Sequence, residues 1–149
     1  MKPIQVNQVP HKSYTFGGAS ALVDGISGSN GNYKDGSWIG FNQGDIEIII
    51  DLKKETEISQ IEFNTYVCTG DWIFGAKGLT VSISDDDKNY KIISEALYSD
   101  PDKHIEKVEL NKATFLSANT RYVKLNIFKV NKMPHWHAGA STPAFIFID

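Results

Sequence analysis

A chain of 149 residues suits one domain and can bury roughly two thirds of the surface its unfolded form exposes, so neither a metal nor a disulfide is required for folding. A net charge of −3 without a basic stripe argues against nucleic acid or an anionic membrane surface as a partner. No apolar run reaches the roughly 18 to 20 residues of a membrane-spanning helix, "MKPIQVNQVP" has no apolar signal-peptide core, and the single Cys68 excludes an internal disulfide or a cysteine-based zinc site.

In chain order, residues 1–12 read as an N-terminal extension and 13–149 as one continuous domain without repeat or linker. The glycine-rich stretch 16–44 has little strand character, and loops of that length in a compact domain are usually functional or tied down. Within it, Trp38 and Phe41 of "SWIGF" are spaced to turn both rings against a core. Period two then takes over: Ile46, Ile48, Ile50 and Leu52 share one face of "DIEIIIDL". "EISQIEFNTYV" follows as a separate strand, and the loop "TGDWIFGAKG" sets Trp72 and Phe74 among glycines and Asp71. Leu79, Val81 and Ile83 share a face of "LTVSISD", "SDDDKN" is a turn, and "YKIIS" and "HIEKVEL" continue the series. "NKATFLSAN" reads as a turn before "RYVKLNIFKV", and "AFIFID" carries strand character into Asp149. A domain seldom stops in mid-strand, so the chain is expected to be a module excised from a longer secreted, periplasmic or cell-surface protein. No ten-residue window keeps an i, i+3, i+4, i+7 apolar pattern, so crossover helices are missing and the sheets should be antiparallel: an all-β sandwich.

The order and spacing of "ALVDG" (21–25), "SWIGF" (37–41), "IEIIIDLKKETEISQIEF" (46–63), "GLTVSISDDDKNY" (78–90) and "TRYVKLNI" (120–127) resemble the discoidin, or coagulation factor 5/8 type C, family, which includes the family 32 carbohydrate-binding modules. The ending "HWHAGASTPAFIFID" further resembles the C-terminal domain of bacterial family 20 β-N-acetylhexosaminidases of the Bacteroides type. The resemblance implies an antiparallel jelly-roll sandwich and a structural calcium ion. Asp24 would be its side-chain ligand, Ala21 and Ser29 carbonyl or hydroxyl ligands, and Asp149 the acidic ligand from the far side. Calcium takes six to eight oxygens at flexible angles, which a glycine-rich loop can supply. An Asx turn before Gly25 is the alternative reading of Asp24.

A pyranose stacks its C–H face on an aromatic ring while its hydroxyls bond polar side chains, so Trp72 and Phe74 are candidate sugar platforms, or else cap the end of the sandwich. His135, Trp136 and His137 form either a binding loop or a packed one in which Trp136 inserts between sheets and His137 bonds a loop carbonyl. Galactose-binding relatives use a loop arginine; the only arginine here, Arg121, lies in a strand motif and reads as structural, leaving Lys77 as the substitute.

The expected function is therefore a non-catalytic, calcium-stabilised module that binds a glycan of galactose or N-acetylhexosamine type beside a catalytic glycoside hydrolase domain in the same chain. The alternative is a domain that only packs against that enzyme. Catalysis by the module itself fits least: there is no G-x-S-x-G elbow, H-E-x-x-H helix or phosphate loop, and Asp85–Asp87 sit in a turn.

Overall fold

The computed structural model describes residues 3–15, 17–28, 31–34, 37–139 and 143–149. Seven strands form among them: β1 (Ile4–Val6), β2 (Ile39–Phe41), β3 (Ile46–Cys68), β4 (Gly78–Ser84), β5 (Lys91–Leu97), β6 (Glu106–Phe128) and β7 (Ile146–Ile148). Short 3₁₀ turns occupy Ala19–Val23 and Thr69–Asp71, and every strand pair is antiparallel.

Two 23-residue strands build both layers. The first half of β3 and the second half of β6 pair from Ile46↔Ile127 to Asp51↔Tyr122, flanked by β1 on one side and β4 and β5 on the other. Their remaining halves pair from Gln60↔Thr114 to Cys68↔Glu106, with β7 and then β2 beside β3. Between these stretches the register slips twice. Asp51 and Thr56 of β3 oppose Tyr122 and Thr120, so the extra residues lie on β3; Ile58 and Gln60 oppose Ala118 and Thr114, so there they lie on β6. Extra residues on one strand and then on the other bend the ribbon over itself, as β-bulges do at the corners of a sandwich. Lys53, with φ at 71°, sits in the first irregularity, and Leu116, 94% exposed, in the second. Arg121 forks onto Asp51 at 3.0 and 3.2 Å across the corner, which fixes its structural role.

The result is an all-β antiparallel jelly-roll sandwich. Its core joins Ile46, Ile48, Leu79, Val81, Leu125 and Ile127 of one layer to Phe41, Phe63, Ile146 and Ile148 of the other. Trp38 and Phe41 are both fully buried.

Three sequence expectations need correction. "DIEIIIDL" and "EISQIEFNTYV" are one strand, and "NKATFLSAN" is part of β6 rather than a turn, because the partner strand supplies hydrogen bonds that turn propensity cannot outweigh. The supposed N-terminal extension contributes β1, whose Ile4 and Val6 pack on the core.

The registers Cys68↔Glu106, Gly78↔Leu97 and Gly78↔Phe128 bring five strand ends to one rim, so the loops 69–77, 98–105 and 129–145 gather there.

The Arg121 guanidinium, followed by the Lys53 backbone N–H, holds the Asp51 carboxyl below its ordinary value. A carboxyl depressed in the folded state contributes stability above its unfolded pKa and loses it as the pH falls through the folded one. Arg121→Met should therefore destabilise the protein near neutrality, with the gap from wild type closing below about pH 4 in urea unfolding series.

Candidate functional site

β3 ends in the 3₁₀ turn Thr69–Asp71, and Trp72 closes that turn in the left-handed region, φ 65° and ψ 26°. A ring-bearing residue rarely adopts this conformation and pays for it in strain, so its surroundings must hold it. Its N–H donates to the Thr69 carbonyl at 3.1 Å, and its own carbonyl accepts from the Phe145 N–H at 2.8 Å. Cys68 and Ile73 exchange two backbone hydrogen bonds across the base of the loop. The indole is consequently 40% exposed, with one edge against Gly139, where a Cβ would stand 3.0 Å from the ring. Only a glycine lets the two loops approach so closely.

Beside Trp72, a series of aromatic rings meets edge to face. Trp72 lies 6.1 Å from His137, His137 5.3 Å from His104, and His104 4.9 Å from Trp136. His137 is buried; its Nε2 donates to the Thr69 carbonyl at 2.6 Å and its Nδ1 accepts from the Gly139 N–H at 2.9 Å, which fixes the neutral tautomer. The Trp136 indole N–H donates to the Pro101 carbonyl at 3.0 Å. The Thr69 hydroxyl lies 3.1 Å from His104 Nδ1 and accepts from the Ile105 N–H at 2.9 Å. Three loops are thus sewn together through Thr69, His137 and Trp136. The buried Lys129 ammonium closes the third loop by donating to the carbonyls of Val130 and Ala144 at 3.0 and 2.6 Å. Burial holds that ammonium below the ordinary lysine value.

The six residues expected to bind ligand therefore divide. Trp72 and Trp136 stand at one surface, Trp136 partly covered, with His135 exposed on the same loop. Phe74 is a correction: at 1% exposure it packs with Val130, Met133 and Ala144 and cannot serve as a platform. His137 is likewise too buried to touch a sugar. Lys77 is half exposed, and Asp100 holds its ammonium at 2.7 Å. Two exposed polar groups complete the surface: His104, which sequence reading did not single out, and Asp71, which it placed beside Trp72 and which accepts from the Tyr33 hydroxyl at 3.2 Å. Burial and the Asp71 carboxylate push the Tyr33 phenol up to about 12, so it stays a neutral donor.

The four expected calcium ligands lie elsewhere. Asp24 and Asp149 line one cavity of about 230 Å³ together with Glu62 and Asn64. Asp24 Oδ1 accepts from the Ile26 N–H at 2.8 Å, the Asx turn foreseen as its alternative role, and Asp149 Oδ2 accepts from the Gly28 N–H. Ala21 is partly buried against the core and does not line that cavity, and Ser29 lies outside the described residues. Among the described residues no three His, Cys, Asp or Glu side chains converge as a metal cluster. Of the residues lining the cavity, Asp24, Glu62 and Asp149 carry carboxylates, the donor type a hard cation takes, with carbonyls and water needed to complete its shell.

The sequence model of the F5/8 type C domain matches residues 5–144. No curated protein matches the chain. Among solved structures, a CBM32 module of Clostridium perfringens in complex with GalNAc-beta-1,3-galactose superposes with a TM-score of 0.58 at 17% identity, covering 98% of this chain and 94% of that one. Chitosan-binding module 1 of a Paenibacillus sp. IK-5 chitosanase/glucanase gives 0.59 at 12% identity, over 99% and 94%. CBM32-3 from a family 31 glycoside hydrolase of Clostridium perfringens gives 0.56 at 12% identity, over 97% and 86%.

Removing the His137 ring should cost about 2–3 kcal/mol, because the buried Gly139 N–H loses its acceptor, the Thr69 carbonyl keeps only the Trp72 N–H of its two donors, and the ring leaves a void among its aromatic neighbours. His135→Ala should stay within about 0.5 kcal/mol of wild type, as an exposed side chain does. Chemical unfolding of both variants measures the contrast.

Proposed function

The chain belongs to the F5/8 type C domain family, and from that premise we propose that it is a non-catalytic glycan-binding module of a secreted glycoside hydrolase. The observation that carries the reading is Trp72: a strained, 40% exposed indole held outward on a rigid loop, with Asp71 beside it in sequence and His104 in the adjoining ring cluster. Rigid elements make precise sites, and an exposed indole next to hydrogen-bonding groups matches the C–H face and hydroxyls of a pyranose. An apolar packing surface alone would not require the ring to be propped up at the cost of backbone strain. A module of this kind raises the effective concentration of the attached enzyme on its substrate, since single-site sugar affinities are weak and tethering multiplies them. The resemblance of the C-terminal segment makes a β-N-acetylhexosaminidase the parent enzyme in this reading.

Calcium belongs to the same reading as a structural staple. Asp24 and Asp149 would hold it at the cavity they share, tying the 22–28 loop to the end of the chain. The ion supplies positive charge for those carboxylates and takes no part in sugar chemistry.

Titration against galactose, N-acetylgalactosamine, N-acetylglucosamine and larger glycans, followed by tryptophan fluorescence and calorimetry, tests the proposal. Saturable binding that weakens at least tenfold in Trp72→Ala is expected; no response to any glycan from a folded wild type would sink it. For the staple, calcium added to chelator-treated protein should raise the thermal midpoint, and Asp24→Ala should abolish that rise.

A further inference from the structure

A groove of about 490 Å³ opens away from the loop rim, between the hairpin end of β4 and β5 and the corner of β6. Ile83, Ile92, Ile93, Phe115 and Leu116 give it an apolar lining. Ile93 and Phe115 pack partly on the core, but Ile92 is 55% exposed and Leu116 94% exposed. A leucine so placed adds nothing to the core, and its neighbours at the corner, Thr114, Ser117 and Asn119, are polar. Exposed apolar side chains gathered around a groove mark an interaction surface.

What covers the groove follows from what stands beside it. Groove and Leu116 knob share one surface, so a two-fold axis through that surface sets the knob of each copy in the groove of the other. Such a contact closes on itself and leaves no knob or groove over. Strand addition fits less well. β5 is the last strand of its layer, yet the register shift at Val81/Ser82 leaves Ile93 as an extra residue on β5, and a bulge of this kind twists an edge away from sheet extension. Contact by side chains is therefore favoured, and charge supports it. Lys91 on the lip of the groove has no ion-pair partner among the described residues, nor has Glu57, which the pairing with Asn119 sets beside the corner. Exchange of the knobs carries Glu57 of each copy toward Lys91 of the other.

We propose that this groove is the interface of a two-fold dimer of the chain, with Leu116 of each copy seated in the groove of the other. The contact is small: a handful of side chains per copy falls below about 1,200 Å² in total, the range of weak and transient pairs, so the dimer forms only at high protein concentration. The groove lies at the end of β4 and the start of β5, whereas the rim gathers their opposite ends, so both rims stay free in the pair. In the glycan-binding reading, two free rims on one particle bind a repeating ligand with an avidity that one rim lacks.

Sedimentation equilibrium of the chain from about 10 µM to about 1 mM tests the interface. The expected dissociation constant is about 0.1 mM for wild type and at least tenfold higher for Leu116→Asp. Leu110→Asp, which changes an exposed apolar residue remote from the groove, should dimerise as wild type does. A wild type that stays monomeric at the highest concentration overturns the proposal and leaves the groove to a different partner or to none. A Leu116→Asp dimer of unchanged strength, or equal weakening by both variants, overturns it as well. Should Leu116→Asp fail to fold, NMR spectra of wild type on dilution give a second reading. Shifts confined to Ile83, Ile92, Phe115 and Leu116 support the interface, and shifts centred elsewhere, as at Trp72, refute it.

Discussion

The ladder between β3 and β6 is the constraint on which the molecule depends. It runs from Ile46↔Ile127 to Cys68↔Glu106 and, by bulging first on one strand and then on the other, supplies paired strands to both layers. Isolated hairpins are marginal in water, and sheets acquire stability only by burying a face. Here the same two strands present Ile48 and Leu125 from one layer toward Phe63 and Ala113 from the other. The other strands add to edges that this ribbon has already positioned.

The end of that ladder also decides where recognition can occur. Where the pairing stops at Cys68 and Glu106, the chain turns through Thr69, and Thr69 becomes the hub of the rim: its carbonyl receives Trp72 and His137, its hydroxyl receives Ile105. Hydrogen bonds that cross from one loop to another fix side chains more closely than loops alone can, which is why an indole in a costly backbone conformation can be kept exposed. Calcium, in the proposed reading, would play the corresponding part for the 22–28 loop, well away from the rim.

Function in this fold resides in what the loops carry. The solved neighbours at 12–17% identity share the sandwich and establish nothing about the ligand of this chain. What favours a glycan is Trp72 with its polar neighbours, an apolar ring kept in water for a reason the core leaves unexplained.

The local pattern of the sequence determined the strands and the core, because period two is a property of neighbouring residues: Ile46 and Ile48, or Leu79 and Val81, had to face one way wherever the strand lay. The order of short motifs was enough to identify the family, and the position of Trp72 among glycines and Asp71 was legible as a loop. Only the tertiary structure decided which ring of "DWIF" is buried, that "NKATFLSAN" is strand, and that residues 4–6 belong to the sheet. It alone brought Thr69 to His104, 35 residues away, and to His137, 68 residues away. These outcomes hang on strand register and on which loops end at the same rim. Such long-range pairings are chosen by the free energy of the whole core, and no window of the sequence contains both partners.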